Sequence, residues 1–211
     1  MKTDSLISAL AADTVLAAGM AGQAWRALVP ALGVALVALW LTLGFRSDLA
    51  QALGNPESLL RWVLTGALAI VSMRTLSVLV RPEGNTVVRF WPLVLVAAVT
   101  LAVLIWAYVT TPAEGRQMAI VGKSMWTCLV AIPTLSVLPV GALFWGVRRG
   151  ATTVPSLTGA MIGLAGSGAA AAVYAIHCTE DSPLFFVTWY GVAILSVTVV
   201  SAAIGGRILR W

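Results

Sequence analysis

Trp91-Pro-Leu-Val-Leu-Val-Ala-Ala-Val-Thr-Leu-Ala-Val-Leu-Ile-Trp-Ala-Tyr-Val-Thr110 is a run of 20 residues without a charge. Its apolar side chains follow one another continuously, whereas a membrane-barrel strand alternates with period two. About 20 predominantly apolar residues are what a helix needs to cross a bilayer. A helix also satisfies its backbone amides internally, which lipid demands. The run is therefore a membrane-spanning helix.

Outward from this run, polar or Gly/Pro-rich punctuation separates five further segments of the same kind. They are Leu28–Phe45 and Leu59–Val80 before it, then Ser124–Val147, Val154–His177 and Leu184–Leu209 after it. The expected fold is all-α: a polytopic membrane protein built as a six-helix bundle. The whole composition agrees. Of 211 residues, 60% are hydrophobic and 10% charged, against about 25% charged in soluble domains. Mean hydropathy is +0.96. A soluble enzyme, a nucleic-acid binder, a disordered tail and a disulfide-rich miniprotein are all excluded, because a soluble surface must be largely polar. The net charge of +5 belongs to topology, since Lys and Arg collect at the cytoplasmic ends of spans.

With a cytoplasmic amino terminus, the inner side holds Lys2, Arg26, Arg81, Arg89, Arg148, Arg149, Arg207 and Arg210, eight in all. The outer side holds three, Arg46, Arg116 and Lys123, together with Asp48, Glu57, Glu114, Glu180 and Asp181. Both termini are then cytoplasmic. Trp62, Trp91, Trp126, Trp145, Trp189 and Trp211 fall near the expected interfaces, as an aromatic belt does. Residues 1–27 read as a cytoplasmic segment and 28–211 as the membrane domain. The apolar run Leu6–Ala12, bracketed by Asp4 and Asp13, is too short for a signal-peptide core.

With short loops there is no extramembrane domain to house an active site, so an enzyme is not expected. The chemistry lies in a few groups. Cys128 sits about one turn into the fourth span and Cys178 closes the fifth, so topology brings both thiols to the outer side at similar depth. A bacterial outer compartment permits disulfides. His177, Glu180 and Asp181 flank Cys178, while Met125 and Met118 lie near Cys128. Thiolate, thioether and imidazole form a soft set suited to Cu(I) or Zn. Three readings stay open: inert buried cysteines, a disulfide, or a metal or redox sensor. His177 has the plain alternative of an interfacial polar residue.

Pro133 and Pro139 interrupt the fourth span and each removes a backbone donor. Thr134 or Ser136 can satisfy the freed carbonyls, and the prolines are either static kinks or hinges. The small-residue run from Gly159 through Gly163, Gly166 and Gly168 lets another helix approach closely. Packing it on the fourth span would draw Cys178 towards Cys128; a homodimer is the alternative. Arg74 is the one charge deep in a span, near enough to the inner end to snorkel. At the amino terminus Thr3 or Asp4 can cap a helix. Leu6, Ile7 and Leu10 then share a face, with Asp4 and Asp13 mostly off it, a pattern suited to docking in a partner's groove. A membrane-surface helix would carry more Lys and Arg.

Several stretches together resemble the NrsF-like negative regulators of extracytoplasmic-function (ECF) sigma factors. They are Met1-Lys-Thr-Asp-Ser-Leu-Ile-Ser-Ala-Leu-Ala-Ala-Asp13, Cys128 with Ile132-Pro133 and Leu138-Pro139, and Arg148-Arg149-Gly150-Ala-Thr-Thr-Val-Pro155. The most specific is Tyr174-Ala-Ile-His177-Cys178-Thr-Glu180-Asp181-Ser-Pro183-Leu-Phe-Phe, followed by Trp189-Tyr190 and Leu209-Arg-Trp211. The resemblance covers essentially the whole chain. It implies an anti-sigma factor of the bacterial inner membrane, with a sigma factor and lipid as partners and no direct contact with nucleic acid. The segment around Asp4, Leu6, Ile7, Leu10 and Asp13 would hold the sigma factor away from RNA polymerase. It also implies signal perception at Cys128 and Cys178, in response to copper, other heavy metals or oxidants, with His177, Met125 or Glu180 assisting. A small metal permease using the same cysteines is the alternative, although no midplane Asp or Glu is present. A membrane thiol oxidoreductase would need a second cysteine pair or a quinone site.

Overall fold

The computed structural model describes residues 20–148 and 150–210. The segment from Asp4 to Asp13 lies outside them. The described residues form helices and loops only. Six helices are long and apolar enough to cross a membrane. They are α1 (Met20–Thr42), α3 (Pro56–Leu79), α5 (Trp91–Thr110), α7 (Met125–Val147), α8 (Pro155–Tyr174) and α9 (Pro183–Ile208). Three short helices lie in the connections: α2 (Leu49–Ala52), α4 (Gly84–Val87) and α6 (Ala113–Val121).

A long helix occupies each expected segment, with ends moved by local chemistry. Proline opens α3, α5, α8 and α9 in the first turn, where its missing N–H has no helical partner to lose. At α3 the Asn55 side chain also accepts from the Glu57 amide at 3.0 Å, a cap that starts the helix three residues earlier than apolarity suggests. The first span differs most. It begins at Met20, because nothing from there to Leu28 breaks a helix. It stops at Thr42, because Gly44 turns the chain at φ +75°, donating its amide back to the Leu39 carbonyl at 3.1 Å. Arg26 thus lies within α1 and not in a preceding loop. The expected loop before the fourth span contains α6.

α8 is the axle of the bundle, packing against α9, α3, α7 and α1, while α5 stands at the edge against α3 and α9. The glycine run explains why, and adds α9 and α3 to the expected partner, the fourth long helix. Gly159 and Gly163 face the last span. A methyl group on Gly163 would lie 2.7 Å from the Thr198 Cα, and one on Gly205 would lie 2.6 Å from the Gly159 Cα. Gly166 meets Val140 of the fourth span, and Gly168 the backbone of α3 at Thr65. The small face is used up inside the bundle, so a homodimer has no free surface there. Ala at Gly163 is expected to push α8 and α9 apart and to cost about 1–3 kcal/mol. Thermal unfolding in detergent measures this against Gly141→Ala, whose new methyl meets nothing.

α7 runs unbroken through Pro133 and Pro139. Contrary to expectation, Thr134 and Ser136 do not serve the carbonyls of Leu129 and Leu135 that the prolines free. Their hydroxyls donate to Val130 (2.7 Å) and Ile132 (2.6 Å), the i−4 carbonyls within their own reach.

Two buried clusters divide the bundle lengthwise. One gathers Ala24, Leu28, Leu79, Val80, Val147 and Leu209, so the described start and end of the chain lie at one end. The other gathers Leu39, Leu64, Cys128, Tyr174, Cys178, Phe185 and Tyr190 at the opposite end, where residues 43–55, 111–124 and 175–182 connect the helices. Arg74 is exposed on α3. The deep charge is a different one. Arg61, in the second turn of α3, has no exposed surface.

Candidate functional site

The site is built on the turn after α8. The helix tightens as it ends: His177 and Cys178 both donate to the Tyr174 carbonyl, at 2.9 and 3.2 Å. This last turn points Cys178 into the bundle, where it meets Cys128 from the first turn of α7. Cys128 is 0% exposed and Cys178 2%. Both thiols are free, and they share one buried cluster. Cys128 Sγ is 3.5 Å from the Tyr174 hydroxyl, and Cys178 Sγ is 4.0 Å from Ser124 Oγ. Tyr190 packs in the same cluster, its ring 5.7 Å from that of Tyr174. Met125 packs against the same cluster.

Two arginines clamp this turn. Arg46 forks onto Asp48 through Nε and Nη2 (both 2.8 Å) and onto Asp181 through Nη1 (2.9 Å) and Nη2 (3.0 Å). Its Nη1 also donates to the Cys178 carbonyl at 3.1 Å. Arg61 donates from Nη1 to the Glu180 carbonyl (3.0 Å), and from Nη2 to Asp181 (3.3 Å) and the Ala175 carbonyl (3.4 Å). The arginine side chains are 1% and 0% exposed. Two cations and two carboxylates balance, which is how buried charge becomes tolerable.

The titration of these groups follows from the contacts. Hydrogen bonds from Arg46 pull Asp48 down to about 2. Burial pushes Asp181 up, but the hydrogen bonds and charge of Arg46, with the charge of Arg61, hold it below the ordinary carboxylate range. Cys178 is lowered to about 6, first by the hydrogen bond from the Cys128 thiol and against burial, with help from the Glu180 amide and the Arg61 charge. Cys178 is therefore the thiol that ionises first, and the thiolate is the reactive form.

Of the residues singled out in the sequence, the structure brings together Cys128, Cys178 and Met125. His177 turns away, its Nδ1 3.0 Å from the Gly44 carbonyl. Glu180 Oε1 accepts from the Lys123 amide at 2.8 Å, which pins α7's approach to the same turn. Among the described residues, no three His, Cys, Asp or Glu side chains converge on a point. Two sulfurs suit a soft ion such as Cu(I) better than structural zinc, which takes four ligands. They equally suit oxidation to a disulfide.

Residues 9–211 match the family described as NrsF, negative regulator of sigma F. The chain belongs to the NrsF family. It is 33% identical over 217 residues to the anti-sigma-F factor NrsF of Caulobacter vibrioides (strain NA1000 / CB15N), covering all of both chains. It is 31% identical over 220 residues to the probable anti-sigma-F factor NrsF of Azospira oryzae (strain ATCC BAA-33 / DSM 13638 / PS), again over the full length of both. No solved structure matches. NrsF proteins are regulators and not enzymes, so the buried thiol pair belongs to a regulator of the anti-sigma class.

Proposed function

We propose that this chain is a multi-pass protein of the bacterial inner membrane that holds an ECF sigma factor through its amino-terminal segment and releases it when the Cys128–Cys178 pair reacts. One observation carries the reading: two thiols from different spans are packed side by side and fully buried, at the end of the bundle opposite the first described residues. Eight basic residues against three support placing that end outside and both termini in the cytoplasm.

At rest the face formed by Leu6, Ile7 and Leu10, flanked by Asp4 and Asp13, occupies the sigma factor. Each signal acts by removing both thiol protons. A soft ion such as Cu(I) is held between two thiolates, with the Met125 thioether beside them, or an oxidant takes two electrons and joins the sulfurs. Cys178 ionises first and attacks or ligates first. The signal shifts the equilibrium only by its preference for one arrangement over the other. Pro133 and Pro139 give the helix carrying Cys128 two places to bend.

The experiment is co-purification of the full-length protein with candidate ECF sigma factors of the same cell, with and without copper. Capture is expected without copper and lost with it. The Leu6→Asp/Leu10→Asp variant is expected to lose capture entirely, because two carboxylates cannot enter an apolar groove. Undiminished capture by that variant sinks the assignment of the segment, and capture that copper or oxidant leaves unchanged sinks the sensor.

A further inference from the structure

The two buried arginines do more than fix a turn: they fasten it to the helix that leads to the amino terminus. Residues 43–48, just past the end of α1, meet the Cys178 turn in four ways. The Arg46 amide donates to the Ile176 carbonyl at 3.1 Å, and the Arg46 guanidinium binds both the Cys178 carbonyl and Asp181. His177 reaches back to the Gly44 carbonyl. Arg61 then holds the turn from the other side, through carbonyls at 175 and 180 that bracket Cys178. Asp181 is the joint shared by both guanidinium groups.

α1 is suited to being moved. It is fully buried along one stripe, Ala24, Leu28, Ala35 and Leu39, which packs on α7 and α8, and its opposite face, with Val29, Val34, Val37, Trp40 and Leu41, is exposed. At 1.5 Å per residue its 23 residues form a rod about 34 Å long, so a displacement at Arg46 is delivered to the other end. Gly44, in the left-handed region at φ +75°, sits between rod and clamp at a residue type that turns freely. The clamp is also incompletely satisfied. Arg61 Nε is buried without a hydrogen-bond partner, a donor that the present arrangement leaves unused and a second arrangement can employ.

We propose that Arg46 and Arg61, joined through Asp181, are positioning residues that form a latch, transmitting the state of the Cys128–Cys178 pair directly to α1 and so to the amino-terminal segment. This rests on the sensor reading above. When the pair closes into a disulfide, two S–H bonds break and one S–S bond forms, with two protons and two electrons leaving. The Cys178 turn then shifts towards α7, and the Cys178 carbonyl and Asp181 move off Arg46. The end of α1 is released.

The test is hydrogen exchange of the full chain in lipid nanodiscs, before and after treatment with diamide, whose N=N bond takes up the two electrons and two protons. Disulfide formation is followed by mass. In the native chain, disulfide formation is expected to abolish protection of the Arg46 amide and its neighbours at 43–48, while α8 stays protected. In Arg46→Gln these amides exchange freely from the start and diamide changes nothing there, although the disulfide still forms. Arg46→Lys keeps the charge but not the two-carboxylate fork, and gives intermediate protection. A disulfide that forms in the native chain without altering 43–48 overturns the latch alone, as does a redox response retained in Arg46→Gln. Loss of protection in α8 of Arg46→Gln shows a merely structural role and overturns it too. A native pair that never forms the disulfide overturns the redox sensor and the latch together. Sigma capture is read separately, so failure of partner binding is distinguishable from all of these.

Discussion

Serine at Cys178 is expected to lock the regulator in its partner-bound state. The substitution exchanges one atom in a fully buried site, so the fold and the amino-terminal segment remain and the sigma factor is still captured. What disappears is every reaction of the site. A serine hydroxyl neither ionises near neutral pH nor forms a disulfide, and as a hard oxygen donor it binds soft ions poorly. Release by copper or oxidant is expected to fall to the unstimulated level in Cys178→Ser and in Cys128→Ser alike, because each mechanism needs both sulfurs. Thiol labelling separates the two roles. Cys178 is lowered to about 6, chiefly by the Cys128 thiol, so its alkylation in the native protein rises through that pH and is level above it. In Cys128→Ala that donor is gone, and the rise moves to higher pH. Co-purification with and without copper, together with labelling rate against pH, checks both parts. Normal release in both serine variants ends the sensor assignment.

That Cys128 and Cys178 share one end of the bundle was legible in the sequence, because alternating long helices put the start of the fourth and the end of the fifth together; that they meet depended on the fifth packing against the fourth. The six long apolar helices were legible because a continuous run of about 20 apolar residues leaves the backbone few options. Direction around a helix end was not. His177 and Glu180 are neighbours of Cys178 in sequence, yet the tightened turn after Tyr174 sends His177 to Gly44 and Glu180 to Lys123. Arg46 reads as an ordinary loop cation, because a sequence looks the same whether such a charge is solvated or buried against Asp181. Arg61 carried the only available hint, an arginine inside an apolar run with an acidic turn at the same end of the bundle. The partner of the glycine run was equally hidden, since Gly159 and Gly163 state that some backbone comes close without saying which.

Removing the Asp181 carboxylate is expected to be the most destabilising single change in the molecule. Asp181 is itself 25% exposed, but the guanidinium groups it joins are 1% and 0% exposed. In Asp181→Ala, Arg46 retains Asp48, while Arg61 keeps main-chain carbonyls and the Trp62 ring, 5.4 Å from its guanidinium carbon, but no carboxylate for a buried positive charge. Breaking a buried pair by deleting one partner costs about 3–5 kcal/mol, a large share of any protein's stability. Asp181→Asn should be nearly as harmful, since its amide turns an N–H towards an arginine donor. The cause is charge left without a partner, not lost volume, and a second substitution tests that distinction. Asp181→Ala/Arg61→Met removes one charge of each sign and leaves Arg46 with Asp48, so most of the lost stability should return, as replacing a buried pair with apolar groups is often neutral or better. Thermal unfolding in detergent of the two single variants and the double variant gives the coupling directly. If Asp181→Ala melts with the native protein, or if Arg61→Met brings nothing back, the clamp is not what holds the Cys178 turn in place.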